Sequence, residues 1–169
     1  MSSSTAEPRP PLTAAVVTVS DSSSRGERED RSGPSVVQFL EQHNFIVEAR
    51  EIVPDEPVQI QNVLIRLARE VRFIATTGGT GIAPRDVTPE ATSAVCERLL
   101  PGIPELMRSQ GRKKTRFAVL SRGLCGVRGR ALILNLPGSP AGAVESLQAV
   151  IDLIPHALDL ISGKTEHSQ

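Results

Sequence analysis

In the run Thr77-Gly78-Gly79-Thr80-Gly81, three glycines in four residues follow an apolar, β-branched stretch. Backbone without side chains can turn several N–H groups toward one ligand, which suits a phosphate. Asp86 comes next, and behind it Thr88-Pro89-Glu90 reads as a helix start, with a hydroxyl N-cap and proline at the first helical position. Because Thr88 is the better cap, Asp86 is left to hold a metal ion or to orient reacting groups. The glycine order matches neither GxGxxG nor GxxxxGK[ST], so neither standard nucleotide-binding label applies. The segment points to a phosphorylated small molecule.

The elements that must position this segment alternate along the chain. Buried, β-branched runs predict strands over 14–20, 45–53, 72–77, 116–120 and 131–136. A polar loop over 21–31 and a helix over about 34–42 separate the first two. Asp55-Glu56-Pro57 opens a helix whose Ile60, Val63, Leu64, Leu67 and Val71 keep helical spacing. The helix capped by Thr88 is expected to reach about residue 100, and Pro104 to start another. Ser139-Pro140 repeats the cap-plus-proline signature ahead of one last helix, bent near Ile151 by Pro155.

Strands alternating with helices predict an α/β sandwich on a mainly parallel, five-stranded sheet. Only residues 121–130 join the last two predicted strands, too few for a usual parallel crossover, so one of that pair is expected to be antiparallel and the sheet mixed. Ligands of open α/β sheets bind at the carboxyl ends of the strands. The residues just past each predicted strand are Ser20-Asp21, Pro54-Asp55-Glu56, Gly78 to Asp86, Ser121-Arg122 and Asn135 to Ser139. Each also has a structural reading. Asp55 stands where a helix cap belongs, the glycines would serve a tight turn, and the run from Asn135 through Pro137, Gly138 and Ser139 would serve a turn and cap. Ser121 lacks a GxSxG context and Cys125 any activating neighbour, so neither reads as a nucleophile.

At 169 residues the chain is predicted to hold one domain over 12–163, with a disordered polar tail over 1–11 and a short polar one over 164–169. Cys96 and Cys125 show no metal-ligand spacing, and the three histidines form no HExxH pattern. There is no signal-peptide pattern and no apolar run long enough to span a membrane, so a soluble, cytoplasmic protein is expected. The formal charge is zero, yet residues 106–144 contain eight basic residues and no Asp or Glu. A positive segment beside an anion loop fits an anionic substrate, although a solvated basic face would read the same way. With no Trp or Tyr and four Phe, the stacking platforms of single-strand nucleic-acid binders are missing.

Taken together, Thr18-Val19-Ser20-Asp21, Asp30-Arg31-Ser32-Gly33-Pro34, Val53-Pro54-Asp55-Glu56, the stretch 77–92, Leu120-Ser121-Arg122 and Asn135 to Pro140 resemble the MogA/MoaB family of molybdenum cofactor biosynthesis, also found as the G domain of gephyrin. The resemblance covers about residues 13–162. It implies a three-layer α/β/α molybdopterin-binding fold, a homotrimer or hexamer, and Mg²⁺-dependent adenylylation of molybdopterin by ATP, with pyrophosphate released. A downstream molybdenum insertion protein would take the product. The family's two functional aspartates map onto Asp55 and Asp86, with Asp86 the nearer to Mg²⁺, and its functional serine onto Ser121. The resemblance further implies that Ser20, Asp21, Thr77, Gly78, Gly79, Thr80, Gly81, Asn135, Pro137, Gly138 and Ser139 contact the two substrates; Arg122, from the basic stretch, would add positive charge. No histidine falls in a matched motif, so imidazole catalysis is not expected. The alternatives are a paralogue that binds molybdopterin without AMP transfer, and a general nucleotide-phosphate sensor.

Overall fold

Runs of Ala, Val, Ile, Leu and Thr that are buried along almost their whole length become the inner strands β1 (Leu12–Val19), β3 (Phe73–Thr77) and β6 (Ala131–Leu136). β2 (Phe45–Val53) begins at the buried Phe45 and then alternates exposed and half-buried positions, as an edge strand does. Two short strands, β4 (Arg98–Leu99) and β5 (Cys125–Arg128), complete a six-stranded sheet in the order β2-β1-β3-β6-β5-β4. The first four in that order are mutually parallel, while β5 and β4 run antiparallel to their neighbours. The structure is a computed structural model and describes residues 9–164.

Successive residues of each inner strand serve opposite faces and so divide the core in two. Ala14, Val16, Phe73, Ala75, Leu132 and Leu134 pack with α2 (Ser32–Glu41), α5 (Gly102–Gly111), α6 (Pro140–Gln148) and α7 (Ile154–Ile161). Ala15, Val17, Ile74 and Ile133 pack with α3 (Pro57–Glu70) and α4 (Thr88–Val95). The three-layer α/β/α arrangement follows. The buried face of α3 is Ile60, Val63, Leu64 and Leu67, the spacing of one helical stripe. No helix among the described residues is long and apolar enough to cross a membrane.

Several expectations are corrected. The sheet has six strands, not five. Residues 116–120 form a 3₁₀ helix, with Thr115 Oγ1 accepting from the Phe117 N–H and Phe117, Val119 and Leu120 exposed. The antiparallel partner of β6 is β5, inside the stretch taken as a connector; Gly129, at φ +56°, makes the hairpin turn between them. The helix from Thr88 stops at Val95, so that β4 can pair with β5. The last predicted helix is broken into α6, a 3₁₀ turn over Ile151–Leu153, and α7. Pro155 sits in the first turn of α7, where its missing N–H costs nothing. The loop over 21–31 begins with a single helical turn, α1 (Asp21–Ser24). Of the predicted tails, residues 1–8 and 165–169 lie outside the described residues. Arg9 is packed on the body, donating to the Asp159 carboxylate at 2.9 and 2.6 Å.

Candidate active site

Chain connections leave β1 for β2 on one side and reach β3 on the other, so the sheet's switch point lies between the carboxyl ends of β1 and β3. A cleft of about 710 Å³ opens there, lined by Thr18 to Ser20, Thr77-Gly78, Gly138-Ser139 and the arginines Arg28 and Arg31. The strand ends come unusually close. Gly78 has φ +100°, and a Cβ there would collide with the Val19 carbonyl oxygen. A Cβ on Gly138 would sit 3.3 Å from Gly78 Cα.

Beyond Gly78 the loop is tied down from both ends. Thr88 Oγ1 donates to the Gly78 carbonyl at 2.9 Å, and the Thr88 N–H to that of Gly79 at 3.1 Å. Thr88 is therefore not the predicted cap. Val87 holds the cap position and makes no side-chain cap bond, so the Thr88 hydroxyl is free to serve the loop. The Asp86 carboxylate accepts from the Ala83 N–H at 2.9 Å with one oxygen. Its other oxygen has no donor among the described residues.

Asp55 is not a helix cap either. Glu56 precedes α3 and no side chain caps it. Asp55 instead forms a reciprocal pair with Asp21: Asp55 Oδ2 accepts from the Asp21 N–H at 2.9 Å, and Asp21 Oδ1 from the Asp55 N–H at 3.0 Å. Arg85, reaching across from the glycine loop, donates to both oxygens of Asp21 and to Glu56. The two carboxylates part in character as a result. Arg85 holds Asp21 below the usual carboxylate range, whereas burial, with the charges of Asp21 and Asp86 adding to it, pushes Asp55 above. Asp55 Oδ1, unbonded to protein, lies 3.1 Å from where a Cβ of Gly79 would be, so the glycine leaves that oxygen room.

A second cleft of about 620 Å³ lies on the far side of the strap Pro137-Gly138-Ser139. Ser121, Pro137, Ser139, Lys113, Lys114 and Phe117 are among its walls. The clefts thus share Ser139.

The structure brings most predicted site residues to one end of the sheet and assigns some of them structural work. Ser20, Thr77, Gly78, Gly138 and Ser139 line the first cleft; Ser121, Pro137 and Ser139 line the second. Asp21, Asp55 and Asp86 flank the glycine loop. Ser20 Oγ caps α1 through the Ser23 N–H, and Thr77 Oγ1 donates to the Pro137 carbonyl. Asn135 is 1% exposed, with its amide nitrogen donating to Thr76 and Thr92 and its oxygen accepting from the Leu124 N–H. Both N–H donors of that buried amide are spent within the protein. Thr80 is buried, and the Arg122 side chain is occupied with loop carbonyls and Glu90. Sequence reasoning did not single out Arg28, Arg31 or Arg85. The signal available for the first two was Asp30, three residues ahead of Gly33: its buried carboxylate takes the Gly33 N–H and the Thr18 hydroxyl, fixing this loop to the end of β1. Burial pushes the thiols of Cys96 and Cys125 up to about 11 and about 12, as expected of inert cysteines.

Two acidic oxygens without a protein donor, beside a loop with free N–H groups, could bridge a divalent cation to phosphates. Mg²⁺ commonly takes one or two carboxylates and completes its shell with phosphate oxygens and water, which this pair fits. No cluster of three or more metal-ligating side chains occurs among the described residues.

Comparison with known proteins shows the family. Residues 15–156 match the model of a family described as the probable molybdopterin binding domain. The molybdopterin adenylyltransferase of Helicobacter pylori strain J99 is 44% identical over 152 residues, covering 88% of this chain and 86% of that protein. The enzyme of the same name from Escherichia coli K12 is 37% identical, covering 90% and 86%. Among solved structures, the molybdopterin biosynthesis enzyme MoaB of Thermus thermophilus superposes with a TM-score of 0.85 at 52% identity, covering 90% of this chain and 98% of that one.

Proposed function

This chain belongs to the molybdopterin-binding family, and on that premise we propose that it is a molybdopterin adenylyltransferase of molybdenum cofactor biosynthesis. The observation that carries the proposal is that Asp55 and Asp86, each with one oxygen unclaimed by protein, flank the same glycine loop at the switch point. In the reaction, a terminal phosphate oxygen of molybdopterin bonds to the α-phosphorus of ATP. The bond from that phosphorus to the α–β bridging oxygen breaks, and pyrophosphate leaves.

Transfer of this kind needs alignment and charge neutralisation more than a protein nucleophile. Gly79, Thr80 and Gly81 offer backbone N–H groups to phosphate oxygens. Arg28 adds positive charge at the first cleft, where Arg31 is paired with Glu29 at 3.6 Å, and Lys113 and Lys114 add it at the second. Ser121 and Ser139 stand where the two substrates would be brought together. Asp86, with Asp55, would hold Mg²⁺, which supplies charge neutralisation between two polyanions. With no Trp or Tyr in the chain, adenine would rest on aliphatic side chains and backbone. Self-association as a homotrimer or hexamer and hand-over to a molybdenum insertion protein belong to the same proposal.

The test combines purified protein with ATP, Mg²⁺ and molybdopterin and follows pyrophosphate. Release that depends on all three and disappears in Asp86→Ala is expected. Tight pterin binding with no release above that variant would replace the proposal with the binding-only reading.

A further inference from the structure

We propose that Arg122 is a positioning residue that sets the glycine loop for anion binding and does not itself contact a phosphate; the inference rests on the adenylyltransferase reading of this site. Six of the nine backbone carbonyls from Gly78 to Asp86 are engaged. Thr88 takes those of Gly78 and Gly79, and the Asp86 N–H takes that of Ala83 at 2.9 Å. The rest of the work falls to Arg122. Its own N–H donates to the Thr80 carbonyl at 2.8 Å, its Nε to Gly81 at 2.8 Å, and its Nη2 to Asp86 at 2.9 Å. Its Nη1 pairs with Glu90 on α4. One residue therefore anchors three loop carbonyls and fastens the assembly to a helix.

The complementary groups are left open. The N–H groups of Gly79, Thr80, Gly81 and Ile82 donate to no acceptor among the described residues. Carbonyls fastened on one side and consecutive N–H groups left free make a concavity for an anion. An arginine with every donating nitrogen bonded to protein is poorly placed to be a phosphate ligand as well. Its fork geometry matters, because lysine brings one nitrogen to a place where three are used. Arg122 also follows Ser121 directly, so the same bonds fix where Ser121 stands relative to Asp86.

The experiment compares the parent with Arg122→Lys and Arg122→Gln. ATP affinity, with Mg²⁺ present, is measured at two salt concentrations, alongside hydrogen exchange at the bonded amides of Ala83, Asp86 and Thr88 in the ligand-free proteins and the melting temperature. The expected result is a loss of about tenfold or more in both variants, a salt dependence like the parent's, and faster exchange across the loop. Parental affinity in Arg122→Lys, with loss and a shallower salt dependence only in Arg122→Gln, would make Arg122 a direct charge ligand and overturn the inference. So would parental affinity and exchange in both variants. If the Arg122 variants do not fold, Glu90→Ala removes one anchor at an accessible helix surface. It is then expected to give a smaller loss of the same kind, and unchanged affinity and exchange would again overturn the inference. A parent that binds ATP without transferring AMP would defeat the adenylyltransferase reading and leave this inference standing. Parent-like variants beside an active parent would defeat the inference alone.

Discussion

Residues 112–116 and residues 108, 122 and 128 belong to the same acid-free stretch of the chain, and the fold uses their charges in opposite ways. Lys113 and Lys114 keep their ammonium groups at the rim of the second cleft, paired loosely with Gln110 and Glu145. Arg108, Arg122 and Arg128 are turned inward as donors to backbone: Arg108 through Nη1 to Ser121 and Gly123, Arg122 through Nε and Nη2 to Gly81 and Asp86, Arg128 through Nη1 to Val95. Basic residues counted along the sequence overstate the positive field offered to a substrate. The guanidinium fork serves architecture here, and the compact ammonium serves the surface.

The largest effect that would break this picture concerns neither group. Asp86→Ala is expected to lower AMP transfer at least about a hundredfold, the scale of losing a group that acts on charge in the transition state. It should cost only about 1 kcal/mol of stability, from the lost Ala83 bond, in a urea titration. A collapse in stability with activity per folded molecule preserved would turn Asp86 into scaffolding. Next comes the inward set: Arg108→Met leaves two backbone carbonyls without a donor and should destabilise the protein by about 1–3 kcal/mol by denaturant melt, whatever the salt. The outward set should behave in reverse. Replacing Lys113 and Lys114 together by Gln should change stability by less than about 0.5 kcal/mol yet raise KM for molybdopterin several-fold, with a difference that shrinks as salt increases. A large stability loss there, or a salt-insensitive KM, would erase the distinction between the two groups.

The smallest expected effect is a pH dependence. Burial makes Asp55 bind its proton more readily in the folded protein than in an unfolded chain, so its contribution to stability falls as pH rises from the ordinary carboxylate range through its raised titration. Asp55→Asn keeps an acceptor oxygen for the Asp21 N–H and removes the charge. Its stability relative to the parent should therefore increase from about pH 4 to pH 7, while transfer activity falls. An advantage that is flat across this range, or that shrinks as pH rises, would place the strain elsewhere.

Much of this site was legible before the fold was known. The alternation of strands and helices, the parallel core and the glycine loop follow from local pattern; Asp86 stands out by its position, while Asp55 reads locally as a cap and enters only through the family resemblance. What the pattern missed depends on contacts distant in sequence. Residues 116–120 carry strand-forming side chains, yet Thr115 caps a 3₁₀ turn there and no neighbouring strand receives them. β5 is obscured by Gly126, whose bareness is needed because Cys96 packs against it. Asn135 looked like a ligand because polar residues at strand ends often are; its three partners lie 11 to 59 residues away. Arg122 read as spare charge because nothing in the sequence marks which carbonyls lie within its reach.

The contact between Gly78 and Gly138 bears on how this molecule can change over time. Two loops, sixty residues apart in sequence, meet backbone to backbone with no side chain between them. Even a methyl group on Gly138 would press on Gly78, while Gly78 is barred from side chains by its own φ and by Val19. Substitution at one glycine cannot be relieved by adjusting the other, since neither has a side chain to shrink. Diversification of ligand preference would have to proceed through the walls of the clefts, at positions such as Arg28, Lys113 or Phe117, and leave this seam unaltered.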